Sequence, residues 1–332
     1  MHRSFTPGRR TALAFAMASA LCITPWAHAQ DYPNKPIKIV VGFAAGGLTD
    51  QIARLVANGL TQRLGQQVIV ENKAGGNLIP ATQYVARSAP DGYTLHLSNG
   101  QPFTVNVAYY RDKSLPYARN DYTAVALTSE IPMGIYVNAD SPFKTLADLV
   151  AYAKANPGKL NYGSPGTLGQ GGLGMEAFKY AAGIDIQQVP YQGGSPALLA
   201  MLSGQVQMIL SDVASAAQYI QAGKVRVLVL AQEKRIATLP GVPPFAEAGY
   251  PKVEIPMVWN GVFAPPNTPK PIVDKLNAAI NDTMQSPEAK RFLHDSSLLP
   301  AIETPEKMAA LTRSDYEVFA PLMKRLGLKN QD

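Results

Sequence analysis

The strongest constraint on the fold is a repeated junction in which a short β-branched run feeds a glycine-rich turn that opens a helix-period stretch. Ile37 to Val41 is such a run, and it leads through Gly42 to Asp50 into apolar positions at Ile52, Leu55, Val56, Leu60 and Leu64. That spacing marks one face of a helix, and a second extended run follows from Gln67 to Val70. The same junction recurs at Tyr162 to Gly174. Strands alternating with helices in this rhythm predict an α/β chain built on parallel strands. In open sheets of that kind, the turns at the carboxyl ends of strands are where ligands bind. With 332 residues, 46% of them hydrophobic, the chain can bury two ordinary domains and is too apolar for disorder.

Local signals extend the pattern. Thr145 is placed to cap a helix running through Ala155, ended by Pro157-Gly158, and Ser195-Pro196 opens another that stops at Gly204. Val225 to Leu230 reads as a buried strand. Thr268-Pro269, Ser286-Pro287 and Thr304-Pro305 each set a capping hydroxyl ahead of a first-turn proline, which predicts three consecutive helices. Between them, the proline-rich stretch from Leu239 to Pro269, with Gly241, Gly249 and Gly261, is predicted to be irregular and to cross between lobes. Trp259 within it reads as an inter-lobe packing residue rather than a ligand platform.

Residues 1–29 carry Arg3, Arg9 and Arg10, an apolar stretch from Ala12 to Ile23, and Ala27-His28-Ala29 before Gln30. This predicts an export signal cleaved after Ala29, with Arg9-Arg10 compatible with either the ordinary secretory or the twin-arginine route. The formal charge of +6 comes from 30 basic against 24 acidic residues, and removal of the signal leaves 27 against 24. That balance is too mild for a nucleic-acid partner. The single cysteine, Cys22, falls inside the signal, so disulfides and thiol catalysis are excluded from the mature chain. His96 and His294 stand apart without flanking ligand types, and neither a metal centre nor a cofactor is expected. Gly169-Gln170-Gly171-Gly172-Leu173-Gly174 matches the spacing of a dinucleotide fingerprint, but no acid follows about 20 residues later. These glycines read as helix-start flexibility.

The two glycine turns carry the chemistry. Gly46-Gly47 before a helix lets backbone amides converge where the aligned peptide dipoles act as roughly half a positive charge, a natural place for an anion. The turn Gly163-Ser164-Pro165-Gly166-Thr167 adds two hydroxyls to its own amides. Facing one another, the turns would hold the two ends of a small diacid without a cationic side chain; taken singly, such glycines serve only tight turns and close packing. Asp50 either caps its own first helical turn or orients the loop, and Arg54, four residues on, is placed to neutralise it. Tyr191, in Tyr191-Gln192-Gly193-Gly194, either presents its ring to the same cleft or belongs to a plain strand-to-helix turn. An exported α/β hydrolase using Ser164 is the alternative. It is weakened because Tyr162 occupies the first glycine position of a G-x-S-x-G elbow and a triad would have to use His96 or His294.

Tyr32-Pro33-Asn34-Lys35-Pro36-Ile37, Glu71-Asn72-Lys73, Pro90-Asp91-Gly92-Tyr93-Thr94-Leu95, Val189-Pro190-Tyr191 and Phe245-Ala246-Glu247-Ala248-Gly249 together resemble the Bug family, the periplasmic solute-binding proteins of tripartite tricarboxylate transporters. The likeness covers essentially the whole mature chain. It implies a two-lobed, type II-like periplasmic-binding fold, each lobe a mixed sheet flanked by helices, with a ligand cleft between the lobes. It implies a signal peptide at 1–29, a first lobe from 30–128, a second from 129–231, and a crossover with return to the first lobe over 232–332. It further implies a small carboxylate ligand, di- or tricarboxylate or aromatic, delivery to membrane permease subunits from the periplasm, a monomer, and no catalysis. The family's binding loops correspond to Phe43-Ala44-Ala45-Gly46-Gly47 with Asp50, and to Ser164-Pro165-Gly166-Thr167. Gly42, Ala44 and Ala45 stand where the family usually carries prolines, and Ile79-Pro80 follows a shortened glycine stretch, so a different loop stiffness and pocket shape are expected. The same receptor fold serving a sensor kinase is a further reading.

Overall fold

A computed structural model describes His2 and residues 32–110, 115–164, 169–191, 194–253, 255, 257–325 and 327–328. The export signal and its cleavage point lie outside these residues, as do Pro165, Gly166 and Thr167 of the second turn.

In chain order the elements are β1 (Ile37–Val41), α1 (Leu48–Leu64), β2 (Val68–Asn72), α2 (Ile79–Ala86), β3 (Thr94–Asn99), α3 (Val105–Tyr109), β4 (Thr123–Ile131) and β5 (Met133–Asn138). There follow α4 (Leu146–Ala155), β6 (Asn161–Ser164), α5 (Gln170–Ala182), β7 (Gln187–Pro190), α6 (Gly194–Leu202), β8 (Met208–Asp212), α7 (Val213–Gln221) and β9 (Val225–Leu230). The chain ends with β10 (Val258–Ala264), α8 (Lys270–Met284), α9 (Pro287–Asp295), β11 (Leu299–Pro300) and α10 (Pro305–Arg325).

The strands form two mixed sheets, ordered β11-β4-β10-β3-β1-β2 and β7-β6-β8-β5-β9, giving an α/β two-lobed fold. β1 pairs in parallel with β2 and β3, and β6 with β7 and β8, while β10 and β5 bring in the antiparallel neighbours. The chain leaves the first sheet at Pro132, between β4 and β5, and returns to it at β10. The carboxyl ends of β1, β2 and β3 therefore share one edge of the first sheet, and those of β6, β7 and β8 one edge of the second.

Local chemistry accounts for several boundaries. The Thr145 hydroxyl accepts the Asp148 N–H while Asp148 reaches back to the Thr145 N–H, a reciprocal cap that starts α4 where the sequence places it. Ser286 caps α9 by accepting the Ala289 N–H. Thr268 does not act as a cap: its hydroxyl donates to the Pro265 carbonyl, and Pro269 takes the cap position of α8. The segment from Leu239 to Pro269 is not irregular throughout. Val258–Ala264 forms β10, a strand with every residue buried, inserted between β3 and β4. Trp259 on it is not an inter-lobe residue; its ring packs with Phe103, Phe263 and Met308 in the core of the first lobe, and its Nε1–H donates to Asp315 Oδ2 at 2.7 Å. The two lobes instead meet through a cluster that sets Leu173 and Ala177 of α5 against Val105 of α3 and Phe319, Leu322 and Met323 of α10. Gly174 in α5 has a packing reason rather than flexibility: a Cβ there would stand 2.7 Å from Leu210 Cδ2 and 3.0 Å from Ile255 Cγ2.

Candidate ligand-binding site

The first turn is built at the carboxyl end of β1. Gly42 lets the chain leave the strand beneath Leu78, whose Cδ2 would lie 2.9 Å from a Cβ added there. Gly46 then takes a left-handed φ of +82°, which suits glycine, and Gly47 occupies the cap position of α1 without a side chain to offer. Phe43 is half-buried, and Ala44, Ala45, Gly46 and Gly47 form an exposed rim.

Asp50 sits under that rim, buried, in the third position of the helix. Its Oδ2 accepts the Gly46 N–H at 2.8 Å and Arg54 Nε at 2.9 Å; its Oδ1 accepts Asn72 Nδ2 at 2.8 Å and an Arg54 Nη2 at 3.2 Å. Burial pushes its pKa up, but the bonds from Arg54, the Gly46 amide and Asn72 outweigh that and hold it below the ordinary carboxylate value. Asn72, at the end of β2, also donates to the Phe43 carbonyl at 3.1 Å, and Gln51 donates to the Gly46 carbonyl at 3.0 Å. Asp50 thus orients the loop, and Arg54 neutralises it.

The glycine amides of this turn are not the open donors. The Gly46 amide is engaged by Asp50, and the Gly47 amide points to the Ala44 carbonyl at 3.4 Å. The first intrahelical bond runs from Gln51 N–H to the Gly47 carbonyl at 3.0 Å. The amides left without an intrahelical acceptor are those of Leu48, Thr49 and Asp50, at the positive end of a 17-residue helix.

In the second lobe Ser164 ends β6 and is fully buried. Its hydroxyl accepts Gln188 Nε2 at 2.9 Å, and its carbonyl accepts the Tyr191 N–H at 2.9 Å, so Ser164 and Tyr191 are brought together. The Tyr191 ring edge lies 3.3 Å from where a Cβ on Gly163 would stand. α5 then begins at Gln170 behind Gly169, again without a side-chain cap, and its first intrahelical bond is from Leu173 to Gly169 at 3.0 Å. Asp212, at the neighbouring carboxyl end of β8, caps α7 by accepting the Ser215 N–H at 2.7 Å. Sequence reasoning misses it, as it misses the bracing role of Asn72; a carboxylate directly after a buried strand and before a helix is the available signal for the first.

His96 lies inside the first lobe with Nδ1 on the Val40 carbonyl and Nε2 on Thr82, and His294 is exposed beside Asp295, so neither imidazole is the base of Ser164. Among the described residues no three His, Cys, Asp or Glu side chains form a metal cluster, and no helix is long and apolar enough to cross a membrane.

Comparison with known proteins identifies relatives of the whole chain. A UPF0065 protein of Bordetella pertussis is 35% identical over 305 residues, covering 92% of this chain and 94% of its own length. BugT of the same organism is 32% identical over 91% of this chain and 92% of its own. Among solved structures, R. palustris Rpa4515 with adipate superposes with a TM-score of 0.79 at 30% identity, covering 90% of this chain and 99% of that one. MatC from Rhodopseudomonas palustris, with bound malate, gives 0.75 at 30% identity over 88% and 99%. The model of the tripartite tricarboxylate transporter family receptor, TctC, matches residues 52–328. The chain belongs to that family, one of solute receptors rather than enzymes.

Proposed function

We propose that the protein is a periplasmic receptor that traps a small di- or tricarboxylate, or an aromatic carboxylate, between its lobes and delivers it to the membrane permease of a tripartite tricarboxylate-type transporter. The observation that carries this reading is the start of α1. Three main-chain donors at a helix N-terminus are held at a sheet edge by a buried carboxylate whose own charge is spent on Arg54, Asn72 and Gly46. One end of the acid binds there, against Phe43, Ala44, Ala45, Gly46 and Gly47. The other binds at Ser164, Pro165, Gly166 and Thr167 with the uncapped start of α5, beside Tyr191. Adipate and malate in the two solved relatives are the kind of ligand this arrangement accommodates.

The magnitudes are sufficient. A charge-assisted hydrogen bond contributes about 1.5 to 3 kcal/mol, and micromolar affinity requires about 8 kcal/mol net. Four to six donors from opposite walls reach that after ordering costs. Binding shifts the population from open to closed, and no bond is made or broken.

The test is a thermal-shift screen with adipate, malate, citrate and terephthalate, followed by calorimetric titration of the hits. A ligand at 100 times its Kd is expected to stabilise the fold by about 2.7 kcal/mol. No stabilisation by any carboxylate, or chemical turnover of a bound one, overturns the proposal. N-terminal sequencing of the exported protein is expected to begin at Gln30.

A further inference from the structure

The segment after β2 lies against the chain leaving β1 at three successive residues. Lys73 N–H donates to the Val41 carbonyl at 2.8 Å, and Asn72 Nδ2 donates to the Phe43 carbonyl at 3.1 Å. Between these two bonds, the Leu78 side chain covers Gly42 so closely that a Cβ there would stand 2.9 Å from Leu78 Cδ2 and 3.4 Å from Leu78 Cβ. Asp50 fixes the first turn at Gly46; Leu78 is the side chain that meets it where it begins.

Leu78 holds that place in a strained conformation. Gly75, Gly76, Asn77 and Leu78 have φ of +103°, +54°, +52° and +67°, so four consecutive residues have positive φ and two of them carry side chains. Asparagine tolerates the left-handed region, whereas a leucine there sets its Cβ against the following carbonyl. Leu78 is also the residue preceding α2, a position that favours a small polar side chain, and it makes no side-chain cap. Its surroundings enforce the conformation. The Asn77 carbonyl accepts Nδ2 of Asn106, fully buried on α3, at 2.7 Å, and Asn77 Nδ2 donates to the Tyr110 hydroxyl at 2.6 Å. Leu78 N–H donates to the Gly75 carbonyl at 3.1 Å, and the Leu78 carbonyl accepts Thr82 Oγ1 at 2.8 Å.

A strained residue persists where the structure around it over-determines it, and such residues gather at functional sites. Here two local preferences are broken at one position, and the packing of Leu78 on Gly42 is what that position supplies in return. We propose that Leu78 is a positioning residue for ligand binding: wedged over Gly42, it sets the direction in which the chain leaves β1, and with it the placement of the first turn and of the α1 amides behind it. The inference rests on the reading that this turn faces the ligand.

The experiment compares Leu78→Ala with Val85→Ala, which truncates a buried residue of α2 packed on Val40 and Ala81, away from the turn. Amide hydrogen exchange at Gly46 in the ligand-free chain is expected to be about fivefold faster in Leu78→Ala than in Val85→Ala. Adipate or malate binding, measured by calorimetry, is expected to weaken about fivefold in Leu78→Ala, because a loosened turn has more order to lose, and to stay at the parent value in Val85→Ala. A second pair uses an exposed residue. Asn77→Ala and Asn77→Gly both lose the bond to Tyr110, but glycine accepts the left-handed backbone and alanine does not. Asn77→Ala is therefore expected to show the fast Gly46 exchange and weak binding of Leu78→Ala, and Asn77→Gly to remain near the parent. Gly46 exchange no faster in Leu78→Ala than in Val85→Ala, undiminished binding by Leu78→Ala, or an Asn77 pair that behaves alike overturns the inference; if Leu78→Ala does not fold, the Asn77 pair decides. A parent that binds neither acid overturns the carboxylate reading instead, and the exchange rates still decide whether Leu78 fixes the turn.

Discussion

The carboxylate of Asp50 accepts the Gly46 N–H at 2.8 Å, so the third residue of α1 holds the loop that leads into its own helix. Gly46 is exposed and glycine is the most permissive residue, yet its amide and carbonyl are both anchored, by Asp50 and Gln51. The rim is therefore pre-organised without a proline among its residues, and a pre-organised site loses less free energy to ordering when a ligand arrives.

Asp50→Asn should break this brace. An amide offers one acceptor where the carboxylate serves four bonds, and its NH2 would face the donors of Gly46, Asn72 or Arg54. A loss of roughly 2 to 3 kcal/mol is expected at pH 7, where hydrogen bonds to a charged group are removed, together with at least tenfold weaker carboxylate binding. Because the folded-state pKa lies below the unfolded value of 3.8, the native contribution is present above about pH 3.8 and lost as pH falls through the folded value. Urea midpoints of parent and variant should accordingly differ at pH 7 and draw together only as pH falls below about 3.8.

Gly163→Ala tests the seating of Tyr191. The added Cβ would meet Ile209 Cγ2 at 3.1 Å, Tyr191 Cε2 at 3.3 Å and Val206 Cγ2 at 3.3 Å. Of the three only the tyrosine is half-exposed, so it is the group that moves. A modest stability change of about 1 kcal/mol is expected, with a disproportionate loss of ligand affinity by calorimetry. Equal affinity in the two proteins would place Tyr191 outside the site.

Much of the scaffold is legible in the sequence because it is written in local signals. β1, β9 and α4 fall where the β-branched runs and the Thr145 cap put them. β10 is hidden for a physical reason: a strand buried on both faces shows no alternation, and prolines on either side imitate a loop. The loop glycines point to the right sheet edge. The brace beneath them is not legible, since the bond from Asn72 to Asp50 joins the end of one strand to the helix before it across 22 residues of chain. Nor is the loss of the Gly46 amide to Asp50, which moves the open donors into the first turn of the helix.

Two buried groups make opposite predictions about acid. His96 is fully enclosed, with Nδ1–H donated to the Val40 carbonyl, and burial lowers its pKa from 6.5 to about 4. The unfolded chain binds the proton first, so this group's stabilising contribution is complete above pH 6.5 and lost as pH falls toward 4. The gap between 6.5 and about 4 corresponds to about 3 kcal/mol. Its imidazole signals in NMR should not titrate between pH 7.5 and 5; a midpoint near 6.5 would contradict the enclosure.

Asp315 works in the other direction. Burial raises its pKa from 3.8 to about 6, a shift the Trp259 Nε1–H only partly offsets, and no cation pairs with it among the described residues. Here the folded state binds the proton first: the contribution is complete below pH 3.8 and lost as pH rises through about 6. Asp315→Asn keeps an oxygen to accept from Trp259 and removes the buried charge, so it should stabilise the protein by about 2 to 3 kcal/mol at pH 7.5 and by little at pH 4. Between pH 4 and 6 the contributions of these two groups have opposite slopes and offset one another. The Asn variant removes one of them and should expose the other, its urea midpoint climbing steadily from pH 4 to 6.5. A variant less stable than the parent at pH 7.5 would mean that the ionised carboxylate is a required partner of Trp259 rather than a charge the core tolerates.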